Sequence, residues 1–67
     1  NIELDCGYRA DLIVDSELIV ELKSIDKILP IHQAQLLTYM MLANISVGLL
    51  INFNVAVLKN GITRMVL

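Results

Sequence analysis

The 67-residue chain has a single cysteine, few aromatic residues and no tryptophan. One cysteine, Cys6, excludes both an internal disulfide and a zinc site built from paired cysteines. A lone cysteine of this kind is most simply a small hydrophobic residue in a reducing compartment, which predicts a cytoplasmic protein.

Basic residues are also scarce, because 5 Lys and Arg stand against 7 Asp and Glu, giving a net charge of −2. The basic residues form no run along the chain: they are Arg9, Lys23, Lys27, Lys59 and Arg64. Nucleic-acid binding usually calls for a basic face. Nucleic acid is therefore a possible partner with weak electrostatic support, and tight unaided binding to DNA is not expected.

Residues 28–58 carry no charge at all, and their length would admit a membrane helix. Scattered Asn, Gln and His side chains interrupt the stretch, and Asn44-Ile-Ser46 breaks its middle. A helix followed by a buried strand therefore fits better, and we predict no membrane partner.

Apolar residues are abundant, at 57% of the chain with a mean hydropathy of +0.71. Since so short a chain buries a modest fraction of its surface, we expect apolar surface to remain for something else to cover. Missing N-terminal helices, a homo-oligomer or a larger host protein would each cover it. Because Asn1 stands where an initiating methionine would, residues 1–67 are interpreted as a single partial domain.

Two strands are predicted at residues 8–14 and 18–24, joined by the polar turn Asp15-Ser16-Glu17. Successive strand residues point to opposite faces, so the side chains divide by parity. One face is wholly apolar: Ala10, Leu12, Val14, Leu18, Val20 and Leu22. The other is mixed: Arg9, Asp11, Ile13, Ile19, Glu21 and Lys23.

The loop length decides which of the charged residues face each other. A three-residue loop pairs Val14 with Leu18 and sets Asp11 opposite Glu21, a repulsive arrangement that a hard cation such as Mg²⁺ would offset. Lys23 would then supply positive charge for the nucleophile or the developing oxyanion. A five-residue loop would instead set Asp11 opposite Lys23, as an ordinary salt bridge on a solvated face.

A helix is predicted from Pro30, which suits a first turn, to about Ala43. Its predicted core stripe contains Ala34, Leu37 and Met41, with Leu36 and Met40 as further candidates. An adjacent stripe contains His32, Gln35, Tyr39 and Leu42. Gln35 and Tyr39 lie one turn apart and can act together, or Tyr39 is simply a part-buried aromatic beside a solvent-facing Gln35. For His32 a polar surface role is favoured over a ligand or a general base.

The sequence after the helix predicts a central strand at residues 47–53 that is covered on both faces. It then predicts a hairpin turn at Asn60-Gly61 between strands 55–59 and 62–67. The order is therefore strand, strand, strand, helix, strand and one or two short strands. If the strands before and after the helix are parallel, the three elements form a βαβ unit.

Four blocks of this sequence, in order and spacing, resemble those of the GxxExxY proteins, a bacterial and archaeal branch of the PD-(D/E)XK nuclease-like superfamily. The blocks are Arg9-Ala-Asp11-Leu-Ile-Val, Ile19-Val-Glu21-Leu-Lys23-Ser, Gln35-Leu-Leu-Thr-Tyr39 and Gly48-Leu-Leu-Ile-Asn52-Phe53. Ala10 stands where the family usually has proline. The helix that names the family, whose glutamate often completes the site, would lie upstream of residue 1.

The resemblance implies an α/β, restriction-endonuclease-like core with a mixed sheet flanked by helices. It implies a hydrolase in which Asp11, Glu21 and the carbonyl of Leu22 bind Mg²⁺ or Mn²⁺. Lys23 matches the catalytic lysine, and Gln35 and Tyr39 match an element that orients the site and contacts nucleic acid. The alternative is a catalytically silent module that uses the same scaffold for oligomer or partner assembly.

Overall fold

The computed structural model describes residues 2–3, 9–10 and 12–67, which form a four-stranded sheet packed on one helix and a separate two-stranded pair. The elements in chain order are β1 (Ile2–Glu3), β2 (Arg9–Ala10), β3 (Leu12–Val14), β4 (Leu18–Lys23), α1 (Pro30–Ala43), β5 (Val47–Asn52), a 3₁₀ turn (Leu58–Gly61) and β6 (Ile62–Val66). Strands β1 and β2 form the separate antiparallel pair.

The larger sheet is mixed, with the spatial order β3-β4-β5-β6. Strands β4 and β5 run parallel, and each outer strand is antiparallel to its neighbour. Helix α1 connects the two parallel strands, so the predicted βαβ unit and the α/β class are confirmed. No helix among residues 2–3, 9–10 and 12–67 is long and apolar enough to cross a membrane.

The turn between β3 and β4 sets the register of the first hairpin. Val14 pairs with Leu18, and the Glu17 N–H donates to the Val14 carbonyl at 2.9 Å. Asp15 and Ser16 both have positive φ, at 52° and 57°, as the tight turns that match strand twist require. The three-residue loop is therefore confirmed, and the alternative five-residue loop is wrong.

Helix α1 begins at Pro30 and ends at Ala43, as predicted. The His32 Nδ1 accepts a hydrogen bond from the Leu29 N–H at 2.8 Å, which satisfies a donor just before the first turn. At the other end Asn44 adopts the left-handed conformation with φ of 57°, and its N–H reaches the carbonyls of Met40 and Met41.

The core lies between α1 and one face of the sheet, and its buried residues are Ile19, Leu36, Tyr39, Met40, Ile45 and Leu50. The burial of Leu36 and Met40 confirms part of the predicted helix stripe. Ala34 and Met41 were wrongly placed in that stripe, since both are exposed. The helix is apolar on nearly every side, so periodicity could not determine which side faces the sheet.

Gly48 allows α1 to lie close against β5. A Cβ added there would come within 2.7 Å of the Met40 Sδ and 3.1 Å of the Leu36 Cδ1. The absence of a side chain at this position therefore sets the spacing between helix and sheet.

The predicted hairpin at Asn60-Gly61 is wrong. Residues 55–57 form no strand, residues 58–61 form the 3₁₀ turn, and β6 pairs with β5 instead. A Cβ at Gly61 would collide with the backbone carbonyl oxygen of Asn52. Glycine is needed here for a close approach between two backbones, which a local turn pattern does not reveal.

The face of the sheet opposite α1, called here the outer face, is apolar apart from the exposed Arg64 of β6, and it is open at its margins. Leu12, Leu22, Ile62 and Val66 are exposed there, whereas Val20, at its centre, is buried. In β5 the buried residues alternate with half-buried ones, so the described part of the chain covers only one face of this strand. The predicted double cover of β5 is therefore wrong for the residues that the structure describes.

Candidate functional site

Glu21 and Lys23 project from the face of β4 that α1 covers, because they share the parity of the buried Ile19. Glu21 is only 6% exposed. The alternative of a solvated charged face is therefore wrong for this carboxylate. Placing a carboxylate below the surface is unfavourable unless neighbouring charges and donors offset its lost hydration.

Lys23 supplies one such neighbour. Its Nζ lies 3.7 Å from the Glu21 Oε2, and its side chain is 23% exposed. Residues two apart on a strand reach each other without any distortion of the backbone. The arrangement gives a buried carboxylate with an ammonium beside it, and that ammonium still reaches solvent.

The pair lies toward the carboxyl ends of the two parallel strands, since Lys23 is the last residue of β4 and is in register with Asn52, the last of β5. The Phe53 N–H donates to the Lys23 carbonyl at 2.8 Å, which extends the pairing by one step. In open α/β sheets, ligands bind in the crevice outside these carboxyl ends.

Asn52 is a further residue of this region, and the sequence did not single it out for any role. It is 3% exposed, and its amide holds the segment that follows Lys23. The Oδ1 accepts from the Ile25 N–H at 3.1 Å and from the Asn54 N–H at 3.2 Å. The Nδ2 donates to the Ile25 carbonyl at 3.0 Å. The sequence did contain one signal for Asn52, namely a polar residue at the end of an apolar run of strand length.

Asn54 adds a second set of contacts to the same segment. Its Nδ2 donates to the Ile25 carbonyl at 3.1 Å and to the Asp26 Oδ1 at 3.4 Å. We call Asn52, Asn54 and Ile25 together the asparagine clamp. Because the clamp ties the chain just after β4 to the chain just after β5, it fixes where β4 ends.

Asp11, the other predicted metal-binding acid, lies outside the described residues. The Val14–Leu18 pairing on which its placement opposite Glu21 depends is observed. The Leu22 side chain points to the outer face and is 45% exposed. The predicted role of its carbonyl as a metal ligand remains a prediction.

Gln35 and Tyr39 lie one turn apart on α1 but in different surroundings. Tyr39 is 6% exposed and belongs to the core cluster, whereas Gln35 is exposed. Tyr39 is thus more deeply buried than the part-buried aromatic considered from the sequence. Their joint support of the site remains a prediction. His32 serves the helix start through its Nδ1, as a polar role predicts.

Among the described residues no three His, Cys, Asp or Glu side chains cluster, and Glu21 is the one predicted metal-binding carboxylate that they include. That single donor fits a hard cation, because Mg²⁺ is often held by one or two carboxylates with water and substrate phosphate as the remaining ligands. A groove of about 530 Å³ lies at the opposite ends of β4 and β5, away from Lys23. It is lined by Ser16, Glu17, Leu18, Asn44, Ile45, Ser46 and Val47.

Comparison with protein-family models matches residues 1–65 to the PD-(D/E)XK nuclease superfamily. The match spans nearly the whole sequence, so the chain belongs to this superfamily. No curated protein and no solved structure matches the chain.

Proposed function

We propose that this chain is the core of a metal-dependent nuclease that hydrolyses phosphodiester bonds of nucleic acids. The observation that carries the proposal is the buried Glu21 carboxylate with the Lys23 ammonium 3.7 Å away, at the carboxyl ends of two parallel strands. The superfamily match over residues 1–65 supports the same reading. A buried ion pair is often no more stabilising than apolar residues of similar volume, so its presence here favours a functional role.

Each proposed role follows from the chemistry of the side chain. Asp11, Glu21 and the Leu22 carbonyl would hold Mg²⁺ or Mn²⁺, which are hard cations that take oxygen ligands. The bound metal would lower the pKa of a coordinated water and offset charge on the phosphate. Lys23 would hold the attacking oxygen or stabilise charge on the phosphoryl oxygens from its partly exposed position.

Gln35 and Tyr39 are proposed to support the site from α1, with Gln35 exposed toward a substrate and Tyr39 anchored in the core. This pair, together with the β4 and β5 blocks, leads us to place the chain in the GxxExxY branch.

Nucleic acid is the proposed substrate, and its binding would need help, since the net charge is −2. A homo-oligomer or a larger host protein would supply basic surface and would cover the outer face as well. A cytoplasmic setting, free of membrane, agrees with the single cysteine.

A second candidate function rests on the outer face, where Leu12, Ile62 and Val66 are exposed. A catalytically silent module would use that apolar surface to assemble with itself or with a partner. It would bind no metal at Glu21, so a metal titration separates the two functions.

The deciding experiment is thermal unfolding with increasing Mn²⁺ for the wild type, Asp11→Ala, Glu21→Gln and Lys23→Met. Metal that binds only the folded state stabilises it by about 2.7 kcal/mol at a hundredfold excess over Kd. We expect a rise in Tm for the wild type and for Lys23→Met, and none for Asp11→Ala or Glu21→Gln. Glu17→Gln, at an exposed turn acid, is the matched control and should keep the full rise.

The same proteins are then tested for cleavage of single- and double-stranded DNA and RNA with Mn²⁺. Loss of one preorganised donor to a developing negative charge typically lowers kcat by about 10²–10³-fold, so cleavage by Lys23→Met should fall by about that factor while the rise in Tm is retained. Cleavage that survives in both Asp11→Ala and Lys23→Met would refute the mechanism. A wild type with no rise in Tm would favour the assembly module.

A further inference from the structure

We infer that Asn52 is a positioning residue that holds Lys23 beside Glu21, an inference that rests on the proposed function for its catalytic consequence. The starting observation is a buried side-chain amide, that of Asn52, whose three hydrogen bonds to Ile25 and Asn54 reach the chain just beyond the ends of β4 and β5. A buried amide is unfavourable unless it is fully hydrogen-bonded, so its place at this point calls for an explanation.

The first step concerns the end of β4. Lys23 is the last residue of that strand, and terminal residues of a strand are the first to open in local unfolding. The Phe53 N–H holds the Lys23 carbonyl at 2.8 Å on one side. Two residues further on, Asn52 binds both the N–H and the carbonyl of Ile25. The backbone of Lys23 is therefore fixed between two anchored points.

The second step concerns what that anchoring does for the side chain. The Lys23 Nζ reaches Glu21 at 3.7 Å through a flexible four-carbon stem. Motion of the Lys23 Cα would spread along this stem and move the ammonium. With its backbone fixed, the Lys23 ammonium can move only through rotamer changes of its own side chain. Those changes are already restricted, because the side chain is only 23% exposed.

Asn54 provides an internal comparison within the asparagine clamp. Its side chain is exposed and contacts the same Ile25 carbonyl from outside, at 3.1 Å. Removing it leaves the buried bonds of Asn52 in place. We therefore expect Asn54 to restrict the motion of Lys23 as Asn52 does, but to a smaller extent.

The test measures the side-chain order of Lys23 by ¹⁵N relaxation of its Nζ. The chain has three lysines, so the signal is assigned by Lys23→Arg, and Lys59, which is exposed, gives the mobile reference. We expect Asn52→Ser to lower the Lys23 order parameter toward that of Lys59 and Asn54→Ala to lower it less. Ile45→Ala is the control, because Ile45 is 4% exposed and lies before the other end of β5. It should reduce stability while leaving Lys23 unchanged.

The catalytic consequence is measured separately, as cleavage of oligonucleotides with Mn²⁺. A displacement of about 1 Å can lower the rate about 10²-fold, so Asn52→Ser should reduce kcat by about 10- to 100-fold with little change in KM. If wild type cleaves nothing, the proposed nuclease function fails, and the relaxation data alone decide the positioning role.

A Lys23 order parameter that stays at the wild-type value in both Asn52→Ser and Asn54→Ala would overturn the inference and leave Asn52 a purely structural residue. An equal fall in Ile45→Ala would do the same. Should Asn52→Ser fail to fold, Asn54→Ala decides, since its side chain is exposed and its loss leaves the core intact.

Discussion

The two ends of the β4–β5 pair are held by different kinds of force. At one end, which we call the packed end, Ile19, Gly48, Leu36 and Met40 meet where α1 crosses the sheet, and each is buried. At the other, the tied end, Lys23 is held by the 2.8 Å hydrogen bond from the Phe53 N–H and by the asparagine clamp, whose hydrogen bonds are 3.0–3.2 Å long. Apolar packing is non-directional, whereas a hydrogen bond specifies both distance and angle.

This difference explains why the candidate chemistry lies at the tied end. A reacting group must be held to within a fraction of an ångström, and apolar contacts alone leave more freedom than that. Because apolar burial is the dominant favourable term in folding, we expect the packed end to contribute more to stability than the tied end. Substitutions at the two ends should therefore separate stability from activity.

The largest effect on stability is expected at the packed end. Leu36 is 0% exposed, and its truncation in Leu36→Ala removes contacts with Met40 and with the sheet. Core truncations of this type cost about 2–5 kcal/mol, the amount depending on how far the cavity collapses. Urea unfolding followed by circular dichroism measures the loss. A change under about 1 kcal/mol would mean that α1 is not the element that stabilises this end.

A smaller but still large loss is expected for Gly61→Ala, which acts on the tied end through the backbone. The new Cβ would collide with the Asn52 carbonyl, which cannot yield without moving the end of β5. Overpacking of this kind costs about 1–3 kcal/mol, and we expect the upper part of that range.

Gly48→Ala is the matched control, because its Cβ would meet the Met40 Sδ and the Leu36 methyl groups, which can shift by rotation. We expect a loss of about 1 kcal/mol there. Both losses are measured by urea unfolding. If Gly48→Ala costs more than Gly61→Ala, the backbone contact at the tied end is less tight than the structure indicates.

The sequence predicted those elements whose cause is local. Pro30 and the polar break at residues 44–46 bound the helix, and the three-residue turn at Asp15 fixes the register of the first hairpin. Glu21 and Lys23 were brought to one face by strand parity alone. These features need no information from distant parts of the chain.

The features that the sequence did not predict depend on contacts between distant segments. Gly61 read as a turn glycine, although its role is to approach the Asn52 carbonyl nine positions earlier. The helix stripe was misassigned at Ala34 and Met41, because a helix with apolar residues on most sides has no unique face. Asn52 lay within the predicted strand 47–53 and was given no role there, since its partner Ile25 lies 27 residues away.

The smallest expected effect on stability concerns the outer face, where the same substitution can be made at a buried valine and at an exposed one. Val20 and Val66 both point to this face, but Val20 is 7% exposed and Val66 57%. Thr is nearly isosteric with Val and equally β-branched, so the substitution replaces one methyl group with a hydroxyl and changes little else. Val20→Thr should cost about 1–3 kcal/mol, because the hydroxyl is buried at the centre of an apolar face.

Val66→Thr should change stability by less than about 0.5 kcal/mol, because water already reaches this side chain. Both losses are measured by urea unfolding at two protein concentrations a hundredfold apart. Equal losses at the two sites would mean that Val66 is buried in solution, which only a second chain or another segment could achieve. A loss at Val66 that grows with protein concentration would identify that cover as a second copy, because a self-association equilibrium depends on protomer concentration.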